Sequence, residues 1–213
     1  MKKPLIIGST GLVGSYLLKE ILNEPNLIQV TALVRKKGQI QNTKLNEIQF
    51  DFKTNTGMAS LDAADHVFCC LGTTIKVAGS KKAFRHVDFE LPLMFAQWAA
   101  STNAKSFSIV TSMGANANSS IFYNKVKGEV EDEIKKLDIP IIQIFQPSLI
   151  MGQRKEFRIG ELLGKAFMTL INPLLIGSVK KFRGIHAEKI AKGLVRHLQN
   201  PILGISVFES DQI

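Results

Sequence analysis

Short runs of aliphatic and β-branched residues recur along the chain, with helix-period segments between them. The runs lie at residues 5–7, 30–34, 48–52, 66–71, 106–111 and 141–145. None alternates strictly between polar and apolar positions, which predicts strands covered on both faces. Between them, apolar residues recur at helical spacing: Val13, Leu17, Leu18, Ile21 and Leu22, then Leu91, Phe95, Trp98 and Ala99, then Phe122, Val126, Val130, Ile134 and Leu137. Pro140 ends the last of these helices before the next strand. After residue 145 the alternation weakens. Residues 150–185 are expected to hold one or two helices around Pro173, followed by a helix over 187–199 and a short strand over 205–208.

Strand and helix in turn predict right-handed βαβ units, and hence an α/β fold with a parallel sheet and helices on both faces. Ligands of such sheets bind outside the carboxyl ends of the strands, so the residues that follow each strand matter most. The chain has 213 residues and no internal repeat, which suits a single domain spanning 1–213 with the 150–185 segment inside it.

Composition and charge narrow the classes. Apolar residues make up 45% and charged residues 21%, as in an ordinary globular protein. The net charge is +9, but the lysines fall in separated doublets (36–37, 81–82, 135–136, 180–181) without interleaved aromatics. Solvated faces or anionic ligands explain them better than nucleic acid does, so no nucleic-acid partner is expected. The amino-terminal apolar run is broken by three glycines and lacks a small-residue cleavage site, so it does not read as a leader. The stretch 162–176 contains Lys165, Asn172 and Pro173 and is too short to span a bilayer. Cys69 and Cys70 are adjacent and read as small buried thiols of a reducing, cytoplasmic compartment. The four histidines show no ligand spacing, and no metal is expected.

The first strand is followed by Gly8-Ser9-Thr10-Gly11-Leu12-Val13-Gly14. Glycines at this spacing allow a tight turn, close approach of a pyrophosphate to the backbone, and close packing of helix on strand. The helix that starts here offers free N–H groups to phosphate. At the end of the second strand, where an NAD site wants a carboxylate for the ribose 2′-hydroxyl, stand Arg35, Lys36 and Lys37. Arg35 can grip a 2′-phosphate with its fork and Lys36 can add a point charge, which favours NADP (NADPH) over NAD. Ser9 and Thr10 are further phosphate contacts. Asp51 and Phe52, ending the third run, either read the adenine ring or form a strand-end turn. The fourth run leads into Leu71-Gly72-Thr73-Thr74, whose glycine permits backbone approach beside the nicotinamide ribose.

Tyr123 and Lys127 are four apart at the start of a helix and share one face. A free phenol is a poor base at neutral pH, and an ammonium nearby favours the phenolate. Lys127 can also hydrogen-bond the ribose. Ser112 lies eleven residues upstream of Tyr123, at the end of the fifth strand, and can donate to a substrate carbonyl oxygen while Tyr123 gives or takes the proton.

Together Gly8-x-x-Gly11-x-x-Gly14, Ser112 and Tyr123-x-x-x-Lys127 resemble the short-chain dehydrogenase/reductase superfamily, in its atypical branch. Cys69-Cys70-Leu71-Gly72-Thr73-Thr74 and Lys125-Val126-Lys127-Gly128-Glu129-Val130-Glu131 resemble the Tat-interacting-protein type of oxidoreductase. The resemblance implies a Rossmann-type doubly wound sheet that binds NADP, with Tyr123 as acid/base, Lys127 supporting it and Ser112 orienting the substrate. It implies that Pro147 sits near the nicotinamide carboxamide. Three departures stand out: Ser148 replaces the glycine that many relatives carry after that proline, the Asn-Asn-Ala-Gly run of the common enzymes is missing, and the chain past residue 150 is short, so a small substrate lobe is expected there.

The resulting expectation is an NADP-dependent oxidoreductase acting on a small carbonyl or alcohol substrate. Leu162, Leu163, Phe167 and Met168 would roof an apolar pocket, and Arg154 would meet an anionic substrate group. The alternative is an NADPH-binding regulatory protein that acts through a protein partner. The chain is expected to be a monomer or a homodimer, with Phe95 and Trp98 serving the core.

Overall fold

The computed structural model describes residues 3–38, 40–152 and 182–213. Seven parallel strands form the central sheet: β1 (Pro4–Ile7), β2 (Val30–Val34), β3 (Leu45–Gln49), β4 (His66–Cys69), β5 (Ser106–Val110), β6 (Ile141–Gln146) and, after the two short strands below, β9 (Gly204–Glu209). Their spatial order is β3-β2-β1-β4-β5-β6-β9. The chain therefore winds outward in one direction from β1 and in the other from β4. That reversal defines a Rossmann-type doubly wound fold and opens a crevice at the carboxyl ends of β1 and β4.

The inner strands are covered on both faces, so neighbouring residues on them serve different layers, while the edge strands β3 and β9 are only partly covered. Leu5, Ile7, Val67, Cys69, Phe107, Ile109, Ile142 and Ile144 face a core shared with Phe95, Val130 and Ile134. These last come from α4 (Leu91–Ser101) and α5 (Phe122–Ile134). Ile6, Phe68 and Phe145 face the opposite core, built with α1 (Leu12–Leu22) and α6 (Ala187–Gln199). Phe95 is fully buried, as expected, and stacks at an angle on Phe50, with ring centroids 5.5 Å apart.

Two short helices follow β4: α2 (Ile75–Ala78), capped by the Thr74 hydroxyl, and α3 (Lys81–Arg85), capped by Ser80. Neither shows in the apolar spacing, because each is too short to repeat it. From α3 the chain passes through a π-helical turn, His86–Glu90, straight into α4. Such turns carry an extra residue and occur frequently at functional sites.

Several boundaries differ from the sequence reading: β3 starts at Leu45 rather than at residue 48, and α5 ends at Ile134, before Leu137 and Pro140. β3 ends at Gln49, three residues before the expected end, because Leu45 to Gln49 pair in register with Val30 to Val34. Phe50 and Phe52 leave the ladder to pack on each other, 4.9 Å between centroids. β4 likewise stops at Cys69, although the Cys70 N–H still donates to the Ile7 carbonyl, 2.8 Å. The terminal strand and the helix before it stand where expected.

Past β6, β7 (Ile150–Met151) and β8 (Ile185–His186) pair in parallel as a small second sheet. The helices expected around Pro173, the pocket-roofing Leu162, Leu163, Phe167 and Met168, and Arg154 lie outside the described residues. Among the described residues, no helix is long and apolar enough to cross a membrane.

Candidate functional site

The glycine turn after β1 is shaped by close contacts. Gly8 has a left-handed φ of 84°, and a β-carbon on it would stand 2.8 Å from the Cys70 backbone. A β-carbon on Gly14 would stand 2.1 Å from the Gly8 carbonyl oxygen, which no side chain survives. The Gly11 N–H closes the turn onto that same oxygen at 3.0 Å. Gly11 is also the N-cap of α1 and supplies no capping side chain, so the first-turn amides around Leu12, Val13 and Gly14 keep their donors for a ligand. Ser9 is buried with an unpaired hydroxyl, whereas Thr10 is exposed on the turn. A backbone cradle with an orphaned buried hydroxyl fits a pyrophosphate.

At the end of β2, Arg35, Lys36 and Lys37 are exposed, and among the described residues none makes an ion pair. The fold also brings a carboxylate to this loop that sequence reading missed. Glu47 on β3 accepts a hydrogen bond from the Gly38 N–H at 2.7 Å. Its strand partner is Ala32, fifteen positions away in sequence, and local spacing carries no sign of that pairing.

Asp51 stands in a turn. Its carboxylate accepts from the Lys53 N–H at 2.9 Å and the Thr54 hydroxyl at 2.8 Å, and these bonds hold it below the usual carboxylate range. Phe52 is half-buried, and its carbonyl lies 2.9 Å from Nε2 of His86. His86 also meets Glu90 through Nδ1 at 2.8 Å. The π-helical turn is thereby tied to the loop at the third strand.

The centre of the site lies beside Leu71, Gly72 and Thr73. Lys127 and Asp88 are both buried, with Nζ and Oδ1 2.7 Å apart. Asp88 Oδ2 accepts from the Thr73 N–H at 3.0 Å. A β-carbon on Gly72 would lie 3.7 Å from Asp88 Oδ1 and 3.9 Å from Lys127 Nζ, so the pair sits directly against that backbone. Burial disfavours the ammonium, but Asp88 and then Tyr123 outweigh it and hold Lys127 above the ordinary lysine value. Removing one partner of such a pair costs about 3–5 kcal/mol. Asp88 escaped the sequence reading. Its signal was a carboxylate on the stripe Phe84, Asp88, Leu91, Phe95, where only apolar residues belong.

Tyr123 is the second residue of α5 and half-buried, its ring centroid 5.4 Å from that of Phe84 on α3. Ser112 follows β5 and carries a buried hydroxyl without a partner. The loop between them is pinned to α5: the Asn116 N–H donates to the Asn124 carbonyl at 3.0 Å, and Gly128 admits the backbone of Asn116 and Ala117. Ser112 thus stands just past the end of β5, and the loop that follows it packs on the first turns of α5, which carry Tyr123 and Lys127.

Beneath them, Glu131 is buried and accepts from the Thr111 hydroxyl at 2.6 Å and from Gln146 at 2.8 Å. Burial raises its carboxyl pKa despite those bonds. Pro147 joins the same edge, its carbonyl accepting from the Met113 N–H at 2.9 Å. Ser148 explains its departure from glycine. Its N–H donates to the Ser210 hydroxyl at 2.7 Å and its own hydroxyl donates to the Arg183 carbonyl, joining three segments. Cys69 is buried and its thiol is pushed up to about 12 by burial; burial likewise raises Cys70.

The model of the HIM1 family matches residues 25–176, more than half of the chain. Protein HTATIP2 of Rattus norvegicus is 35% identical over 170 residues, covering 78% of this chain and 70% of that protein. Protein FMP52-1, mitochondrial, of Scheffersomyces stipitis is 29% identical over 205 residues, covering 95% and 83%. Protein FMP52, mitochondrial, of Candida albicans is 33% identical over 156 residues, covering 71% and 68%. These fungal names overturn the cytoplasmic expectation, which rested on two reduced cysteines and on an amino terminus unlike a secretory leader.

Among solved structures, MoeE5 in complex with UDP-glucuronic acid and NAD superposes with a TM-score of 0.70 at 14% identity, covering 97% of this chain and 75% of that one. The human epimerase family protein SDR39U1 with NADPH gives 0.62 at 18% identity, covering 97% and 74%. Both share the Rossmann-type fold. With the motif resemblance, the matching family model and the HTATIP2 relative in agreement, the chain is a member of the HIM1 family.

Proposed function

We propose that the protein is an NADP-dependent oxidoreductase that interconverts a small carbonyl compound and its alcohol. The observation that carries this reading is the buried Lys127 ammonium, one helical turn past Tyr123, together with the unpaired Ser112 hydroxyl at the start of the loop pinned to the same helix. A buried cation kept charged and an orphaned donor at the mouth of a dinucleotide crevice are what carbonyl reduction needs.

The bound nicotinamide supplies or accepts the hydride. This chain does the rest. The Gly8–Gly14 turn and Ser9 hold the pyrophosphate, and Arg35 with Lys36 grips the 2′-phosphate that distinguishes NADP from NAD. Lys127 hydrogen-bonds the nicotinamide ribose. Ser112 donates to the substrate oxygen and aligns the carbonyl carbon. In reduction, Tyr123 delivers its phenolic proton to that oxygen as the carbonyl carbon takes up hydride, leaving alcohol and oxidised cofactor; in oxidation the proton returns.

The test follows NADPH by fluorescence for binding and by absorbance for oxidation, against a panel of aldehydes, ketones and quinones. Oxidation that falls by about three orders of magnitude in Tyr123→Phe, with binding unchanged, is the expected result. Binding with no oxidation across the panel would overturn the catalytic reading in favour of a regulatory NADPH-binding protein.

A further inference from the structure

The mechanism above uses Lys127 but gives no work to Asp88, the most deeply buried charged side chain described here, with its side chain fully sequestered. Its carboxylate spans two elements. Oδ2 is fixed by the Thr73 amide in the loop after β4, and Oδ1 stands 2.7 Å from Nζ of Lys127 on α5. Oδ1 and the ammonium form a close charge pair, and an ammonium has three N–H donors, so pairing with one carboxylate oxygen leaves donors for another acceptor. The π-helical turn places Asp88 inward at this point, between Phe84 and Leu91.

Lysine could reach a ribose without any such partner. Pairing it changes the charge the crevice presents. An unpaired ammonium would set a full positive charge against the Gly72 backbone, beside which the nicotinamide ribose would be held in the NADP reading. The oxidised nicotinamide ring is itself cationic, and the reduced ring is neutral. A lone ammonium would therefore discriminate against the oxidised cofactor, whereas a neutral pair does not.

We infer that Asp88 is a positioning residue: it presents the Lys127 ammonium at the Gly72 backbone as half of a neutral pair, so that Lys127 donates to a ribose hydroxyl without biasing the site against oxidised cofactor. The inference rests on the NADP reading above.

Dissociation constants for NADPH, by fluorescence titration, and for NADP⁺, by competition, are compared across variants whose folding is followed by melting temperature. Asp88→Asn keeps the shape and removes one charge. It is expected to weaken NADP⁺ about tenfold more than NADPH. Lys127→Met leaves the carboxylate alone and is expected to move the ratio the opposite way. The double variant Asp88→Asn/Lys127→Met removes both charges and is expected to return the ratio to the wild-type value, with both affinities reduced by the lost donor.

Should Asp88→Asn fail to fold, Lys127→Met and the double variant still decide the matter, because their ratios differ only if the carboxylate's charge counts. A merely structural Asp88 would lower melting temperature and weaken both cofactors by the same factor, and that result overturns the proposal. Wild-type protein that binds neither cofactor form overturns the NADP reading instead, before any variant is compared.

Discussion

Gly128 on α5 lies against Ala117: a β-carbon at position 128 would stand 2.1 Å from the Ala117 nitrogen. Backbone meets backbone there, so neither side can yield by turning a side chain. Gly128→Ala is expected to cost about 1–3 kcal/mol or more and to push the Ser112 loop off the helix. Gly79 also has a left-handed φ, of 83°, but a β-carbon there meets nothing within 4 Å. Gly79→Ala should cost only the conformational strain, about 1 kcal/mol. Melting temperatures separate the two, and only Gly128→Ala should also slow NADPH oxidation.

Arg35 and Lys36 are exposed at the end of β2 without ion-pair partners among the described residues. If they grip a 2′-phosphate, Arg35→Ala/Lys36→Ala should weaken NADPH by about 10–100-fold and leave NADH nearly unchanged. Parallel fluorescence titrations with the two cofactors read this directly. Equal losses for both would assign the two cations to general attraction.

His86 joins Glu90 on its own turn to the Phe52 carbonyl. Those two bonds, Glu90 first, raise its pKa above the ordinary 6.5, against a smaller opposing effect of burial. A histidine whose folded value is raised stabilises the fold fully below its unfolded value and loses that contribution as pH rises through the folded one. The melting-temperature difference between wild type and His86→Gln should therefore shrink as pH is raised from about 6 to about 8.5. A difference independent of pH would sink this reading of the clamp.

Glu131 has the opposite chemistry and the same sign. Burial raises its pKa above the ordinary 4.5, with the Thr111 and Gln146 bonds resisting. The fold favours the protonated acid, so stability declines as pH rises through the folded value. Glu131→Gln resembles that acid and should remove the decline, at a cost of about 1 kcal/mol where the wild-type group is still protonated. The melting-temperature difference between wild type and Glu131→Gln across the acidic range isolates this contribution: it should turn in the variant's favour as pH rises, and a difference independent of pH would contradict it.

Much of this architecture is legible along the chain. β2 falls on its expected residues, β1, β5 and β6 within one residue at each end, because both-face burial writes a mostly apolar run without strict alternation. The glycine turn and the Tyr123–Lys127 spacing are equally local. What escaped depends on partners distant in sequence. Asp88 meets Lys127 across 39 positions, and Glu47 reaches the β2 loop only through strand pairing. The end of β3 misled because Phe50 and Phe52 look like strand residues yet serve an aromatic cluster with Phe95.

The π-helical turn between α3 and α4 is a matter of counting as well as shape. Each residue of an ordinary helix advances the chain by about 100°. Deleting one residue between His86 and Glu90 would let the hydrogen-bond ladder close regularly, and would rotate everything before the turn by about that angle against everything after it. Phe84 and Phe95, both fully buried on either side of it, could then no longer face their present neighbours together. The length of this helix is therefore held to the single residue.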